Sequence, residues 1–324
     1  MSVYDYASWL AAAKPVYPNA KTASRTSVAL TWFSTFDLAG NPGAGVLAGT
    51  STTAGVVPTN ATAGTLAFPN VNPGQTVYFA TINGGNSVAS RVMLADMLWK
   101  GGAYSFNSNV TVTSPPSYAS RCQLAGSWAA STVFRVGDRV VNNSNLYVCS
   151  SPGTSASSGG PTTTGSAIAD GSCAWNYVSA GIDYQGTSIW VETVTAFTGN
   201  MSIAVTYTNQ SGTTGRTTGT VATGVAPTLG RKIQLPLQSG DTGVQKIESV
   251  VGSVATVGTF NVLVLKQYYQ GRVRVANDGF VNGMSGVDTT NMPVMGNGAA
   301  LIMPVMADST ATGLPEVNVG FVVG

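Results

Sequence analysis

The sequence predicts an all-β protein: two β-sandwich or jelly-roll-like domains, a small three-stranded β module inserted between them, and a short N-terminal helix. Three observations predict it. After the first fifteen residues the hydrophobic segments are short and rich in β-branched and aromatic residues. Clusters of Gly, Pro, Asn and Thr separate them. Helical periodicity is persuasive only once, at the very start.

That start is "MSVYDYASWLAAAK", where Tyr6, Trp9, Leu10 and Ala13 share one face of a short helix that Pro15 ends. The stretch lacks the basic n-region of a signal peptide and carries Asp5 early, which places synthesis in a cytoplasm. Residues 1–26 read as an arm. Residues 27–117 read as the first sandwich, with strands in "SVALTWFSTFDL", "QTVYFATI" and "SVASRVMLADMLW". Within it, the small-residue loop "LAGNPGAGVLAGTSTTAGVVPTNATAG" fits two states: a segment ordered on a neighbouring subunit, or plain disorder. Residues 181–280 read as the second sandwich, from "SIWVETVTAF" through "MSIAVTYT" to "FNVLVLKQYY", and residues 281–324 as a C-terminal β extension.

Sliding the chain by 169 positions places "AGVVPT" (54–59) on "TGVAPT" (223–228) and "VMLADMLWKGG" (92–102) on "NVLVLKQYYQG" (261–271). Identities are sparse, so two readings stand: a duplication relating the sandwiches, or chance in a biased composition.

All three cysteines, Cys122, Cys149 and Cys173, fall in the segment 118–180, between a Pro115-Pro116 pair and the second sandwich. A module of this size has little core, and a bridge there would supply roughly 2–4 kcal/mol. Three cysteines allow one bridge within the chain; Cys149–Cys173 would close the long loop and is the favoured pair, leaving Cys122 free or intermolecular.

Composition bounds the function. Charged residues are 9% of the chain, against roughly 25% in an average soluble domain. Such poverty of charge suits broad buried contact surfaces, hence an assembly subunit. The net charge is +2, with Lys and Arg scattered singly, whereas a nucleic-acid binder carries a basic stripe. No window approaches the ~18 apolar residues of a membrane span. Histidine is absent, which removes the usual general base, every Ser-His-Asp arrangement and the commonest zinc ligand. The cysteine spacings of 27 and 24 match no zinc pattern. The carboxylates are spread singly, and "GNPGAG" and "GGNSVAS" lack the strand-Gly-helix context of a phosphate loop. No enzyme, cofactor or metal is expected.

Two resemblances add to this. The order Trp128, Phe134, Gly137-Asp138, Val140, Asn145, Tyr147, a Gly/Ser/Thr stretch with Pro161, then Trp175 resembles the small carbohydrate-binding modules of chitinases, although the loop from Ser150 to Asp170 is longer than theirs. The resemblance implies a miniature sheet presenting aromatic rings to sugar. Trp128 and Trp175 are then the platform candidates, with Tyr147, Asn176 and Tyr177 beside them; as the alternative, the same rings form the core of a small domain, Tyr147 first. The body, in "ALTWFSTFDLAGNPGAGVLAGTSTTAGVVPT", "TSIWVETVTAFTGNMSIAVTYTNQSGTTGRTTGTVATGVAPT" and "LPLQSGDTGVQKIESVVGSVATVGTFNVLVL", looks like a family of structural proteins encoded by tailed bacteriophages and prophages, some of which lack residues 118–180. This resemblance spans most of residues 25–280 and the tail "ADSTATGLPEVNV" and implies a virion component. The step from particle to capsid surface is an inference from the charge-poor β body. The expectation is a capsid decoration or cement protein bound to the major capsid protein, a dimer or trimer, with residues 1–26 and 40–65 as arms and the module outward. The rival expectation is a tail or fibre-base protein that binds host glycans.

Overall fold

The computed structural model describes residues 3, 6–72, 74–222, 227–253, 257–283 and 292–324. Among the described residues the chain is all-β apart from the helix Tyr6–Ala11 and a 3-10 turn, Ala119–Cys122. Its centre is a pair of long antiparallel strands, Ser90–Ser105 and Thr259–Val273. Near-continuous apolar runs buried on both faces make them strands; three register shifts along the ladder bend them and increase their twist. Four further strands, Thr187–Thr195, Arg231–Leu235, Trp32–Phe33 and Val305–Ala307, join the two long ones into a closed ring. Closure leaves the six ring strands paired on both sides, and the short strand Leu301–Ile302 adds to Ser90–Ser105 beside Val305–Ala307.

The inner face of the ring packs Trp32, Phe36, Met93, Met97, Trp190, Leu263, Leu265 and Ile302 against one another. Its outer face serves two separate cores. One half packs Ile189, Val191, Val262 and Val264 against a distal sheet formed by Ser202–Asn209, Val244–Ser253 and Ser108–Thr111, with two short edge strands. The other half packs Val92, Leu94, Val273 and Val305 against a terminal sheet built on Val77–Gly85, Glu316–Val323, Val16–Lys21 and Gly279–Gly283. Each fully buried large apolar side chain contributes about 1.5–3 kcal/mol.

The two sandwiches therefore interleave along the chain. The segments 27–117 and 181–280 each supply strands to both, because each long strand runs on into the partner sheet of the other: Ser108–Thr111 pairs with Val244–Ser253, and Gly279–Gly283 pairs with Val77–Gly85. The tail strand Glu316–Val323 is no peripheral extension, since it lies inside the terminal sheet between Val16–Lys21 and Val77–Gly85. The strand pairing also repeats: Ser90–Ser105 corresponds to Thr259–Val273, Val77–Gly85 to Val244–Ser253, and Glu316–Val323 to Ser202–Asn209. The 169-residue offset superimposes the first two of these pairs in sequence. Of the other matched stretch, residues 223–226 lie outside the described residues.

Both expected arms are built into the body. Val16–Lys21 pairs with Glu316–Val323, and Trp9 and Ala12 pack beside Val3, Tyr78 and Val322. Leu10 points to solvent at 56% exposure, so the packed side of the helix is not the full face read from the sequence. The loop after Leu38 is held on the ring by its own chain: Trp99 Nε1 donates to the Ala54 carbonyl at 3.0 Å, Tyr104 Oη to the Thr52 carbonyl at 3.0 Å, and Gly102 N to the Ser51 carbonyl at 2.9 Å. Gly55, at φ +67, lies so close to the Trp99 ring that a Cβ there would fall 2.3 Å from it. Small residues in this loop serve close backbone approach.

Charge is drawn inward. Among the described residues eight charged side chains are buried. Asp96 and Arg121 form a doubly hydrogen-bonded pair, and Arg121 Nη1 also donates to the Pro58 carbonyl at 2.8 Å. Inside the ring, Lys232 Nζ meets Glu192 Oε1 at 2.6 Å, and Asn261 Nδ2 donates to Glu192 Oε2 at 3.0 Å. Burial alone would push the Glu192 carboxyl up, but Lys232 and Lys100 together hold it below the ordinary range.

Candidate functional site

The module is a local structure with a clear neck. The chain enters and leaves side by side: Leu124 N donates to the Gly181 carbonyl at 2.9 Å, and Asp183 N to the Cys122 carbonyl at 2.9 Å. Residues 118–122 belong to the body, for Tyr118 Oη donates to the Val244 carbonyl at 2.8 Å, Arg121 pairs with Asp96, and Cys122 lies in the distal core. Beyond the neck, Arg139–Asn142, Asn145–Ser151 and Cys173–Ala180 form an antiparallel sheet, with Ile168–Asp170 as a short fourth strand.

Alternation along Cys173–Ala180 turns Cys173 and Trp175 inward, where they meet Phe134, Val140, Tyr147 and Cys149. Trp175 and Tyr147 are both 0% exposed. Trp175 is thus core, edge-on to Phe134 with ring centroids 4.9 Å apart, and offers no face to a ligand. Tyr147 is core as well; its hydroxyl accepts from Asn145 Nδ2 at 3.3 Å. Tyr177 is half-buried against Tyr147, with centroids 6.0 Å apart. Asn176 points to the opposite side, and its Oδ1 accepts from Ala167 N at 2.9 Å. The five expected residues do not converge on one surface.

Trp128 is half-buried, and its ring is covered from above. A Cβ on Gly160 would lie 2.8 Å from the indole, so the glycine backbone rests on it. Asn142 Nδ2 pins that loop by donating to the Gly159 and Pro161 carbonyls at 2.9 and 3.0 Å. The loop from Ser150 to Asp170 thus lays chain over the ring.

The organising residue is Asp170. Its Oδ2 accepts from Trp128 Nε1 at 2.7 Å and from Trp175 Nε1 at 2.9 Å, and its Oδ1 accepts from Ala156 N at 2.9 Å. One buried carboxylate thus satisfies both indoles, which aromatic side chains require when buried. In sequence "ADGS" reads as a turn, and it is one, with Gly171 at φ +65. That local signal masked the longer-range role. Asp138 does similar work at the other end, its Oδ2 accepting from Arg135 N at 2.7 Å.

Cys149 and Cys173 are free thiols here, as is Cys122. The reason is register. Cys149 stands opposite Trp175 rather than Cys173, and a register shift between Ala174 and Trp175 separates the two cysteines, so they are not a directly opposed pair. Each sulfur donates to a backbone carbonyl instead, Cys149 to Ser151 at 3.2 Å and Cys173 to Asp170 at 2.9 Å. Burial pushes the Cys149 thiol up to about 11 and Cys122 up to about 12.

A cleft of about 200 Å³ separates the module from the terminal sheet, bounded by Val71, Gln75, Thr76, Gln123, Gly126 and Met295. Gly126 N donates across it to Thr76 Oγ1 at 2.9 Å, so the module also touches the body outside its neck.

No protein-family model matches the chain, and no curated protein matches it in sequence, so neither the phage-protein resemblance nor the sugar-module resemblance gains a relative from these comparisons. Among solved structures, that of infectious bursal disease virus Gt strain aligns over 96% of this chain and 81% of its own, at 14% identity and a TM-score of 0.16. The Gx strain structure aligns over the same shares at 12% identity and a TM-score of 0.14. A D431N mutant VP2 protein of that virus, from derived T=1 particles, aligns over 96% of this chain and 78% of its own, at 12% identity and a TM-score of 0.13.

Proposed function

We propose that the chain is a non-enzymatic structural subunit of a tailed-phage virion, a capsid decoration or cement protein whose double-sandwich body lies on the major capsid lattice as a dimer or trimer. The observation that carries this reading is the removal of charge from the surface. A chain with only 9% charged residues buries eight of them among its described residues, which leaves a hydroxyl-rich exterior. Surfaces that stay in water keep charge for solubility, whereas the centres of protein interfaces are depleted of it. The docked N-terminal segment and the pinned loop support a rigid contact face instead of mobile arms, which lowers the ordering cost of attachment. The module, joined by one neck, points outward as a knob, and its buried rings suit a structural role better than a sugar platform.

Quantitative mass spectrometry of purified particles of the encoding phage tests the reading. Hundreds of copies per virion are expected. A ring of six or twelve would move the protein to the tail, and its absence from purified virions would overturn the proposal.

A further inference from the structure

The mouth of the ring holds a cavity of about 390 Å³ between the loop 46–63 and the inner face of Ser90–Ser105. Phe36, Ala48, Val57 and Met97 give it an apolar wall, and Lys100 is its charged side chain. Lys100 is buried, and its Nζ donates to the Val46 carbonyl at 2.8 Å and stands 5.0 Å from the centre of the Phe36 ring. An ammonium has three protons to donate. Among the described residues no carboxylate lies within ion-pair distance of it.

The surrounding charges do not balance it. Glu192 acts on Lys100 from the ring interior, but its two oxygens are taken by Lys232 and Asn261. Asp37 also acts on Lys100, yet it is held by Arg25 at 2.5 Å and attracts the buried Lys21 as well. Among the described residues Lys100 therefore has no carboxylate of its own, and a buried cation without an ion pair is costly. Desolvation accordingly weakens the hold of Lys100 on its proton.

The wall is preformed. Asn261 Nδ2 donates to the Leu47 carbonyl at 2.6 Å, and Gly49 N donates to Asn261 Oδ1 at 2.8 Å, which fixes the loop that closes one side. Volume, apolar lining and one convergent cation are the attributes of a small-molecule pocket. We propose that this cavity binds an aliphatic monocarboxylate, its carboxylate on Lys100 Nζ and its chain against Phe36, Val57 and Met97. A single negative charge complements the ammonium, the one charged side chain in the lining.

Isothermal titration of the full chain with sodium octanoate and with 1-octanol tests this. The expected result is one site per chain and octanoate affinity at least about tenfold above that of octanol, as a charge-assisted hydrogen bond provides. K100M should erase that difference, and A48F should remove binding of both by filling the cavity. If K100M fails to fold, the wild-type comparison and A48F still decide. Equal affinities for the two probes in the wild-type chain, retention of octanoate by A48F, or no saturable octanoate site would overturn the proposal.

Discussion

The body and the module solve the same problem, how to bury polar groups in a β-protein, in opposite ways. In the body, every buried carboxylate among the described residues is withdrawn together with a cation: Asp96 with Arg121 between ring and neck, and Glu192 with Lys232 inside the ring. In the module, too small to surround a pair, one carboxylate is shared among neutral donors, Asp170 taking both indoles and a backbone amide. Scale decides between the devices. A large core can desolvate two ions and hold them in place, whereas a module near sixty residues gains more by satisfying the polar edges of its few aromatic rings. The repeated strand pairing sharpens the contrast. The link from Ser108–Thr111 to Thr187–Thr195 carries the module, while its counterpart runs only from Gly279–Gly283 to Val305–Ala307. The body's architecture accommodates both kinds of link at equivalent places.

The largest effect is expected from breaking the body's pair. Asp96→Ala strands Arg121 in the interior and should cost about 3–5 kcal/mol in urea unfolding, while the double change Asp96→Leu with Arg121→Met should recover most of it. If the single and double variants lose equally, the pair is not the unit of stability in the body. Next in size is the module's centre. Asp170→Ala leaves the buried Trp175 indole N–H without an acceptor, at a cost of about 1–3 kcal/mol. The loss should appear as a shifted module transition in tryptophan fluorescence, with the body transition unmoved. A shift of both transitions together would mean that the neck couples the two regions into one folding unit.

A smaller effect separates the regions by acid. Asp241 accepts from Arg216 Nε at 2.9 Å, Asn209 Nδ2 at 2.8 Å and Tyr207 Oη at 2.7 Å, and the Arg216 hydrogen bond holds its carboxyl down at about 2. Because the folded value lies below the unfolded one, near 3.9, the stabilisation is complete above that pH and is lost as pH falls towards about 2. Asp241→Asn should therefore flatten the acid limb of stability between pH 4 and 2; an unchanged limb would show that the cluster does not titrate as a unit. The smallest effect concerns the thiols. With burial holding Cys122 near 12 and Cys149 near 11, native protein at pH 8 should resist iodoacetamide in both regions. After unfolding without reductant all three cysteines should label, whereas labelling of a single cysteine would reveal a Cys149–Cys173 bridge.

Composition and period carried the sequence as far as local chemistry reaches. The all-β class and the helix before Pro15 follow from segment length and turn residues, and the 169-residue offset lays the two long strands on one another in sequence. What only the tertiary structure decided is partnership across distance. The strands Ser108–Thr111 and Gly279–Gly283 exchange sheets, Trp175 turns inward, Gly160 covers Trp128, and Cys149 faces Trp175 instead of Cys173. Each of these depends on register, and a one-residue slip in a ladder reverses which side chains are buried without altering a letter of the sequence. Asp170 makes the point in one residue: its turn is written in the letters beside it, but its hydrogen bond to Trp128 spans 42 residues and exists only once the sheet has closed.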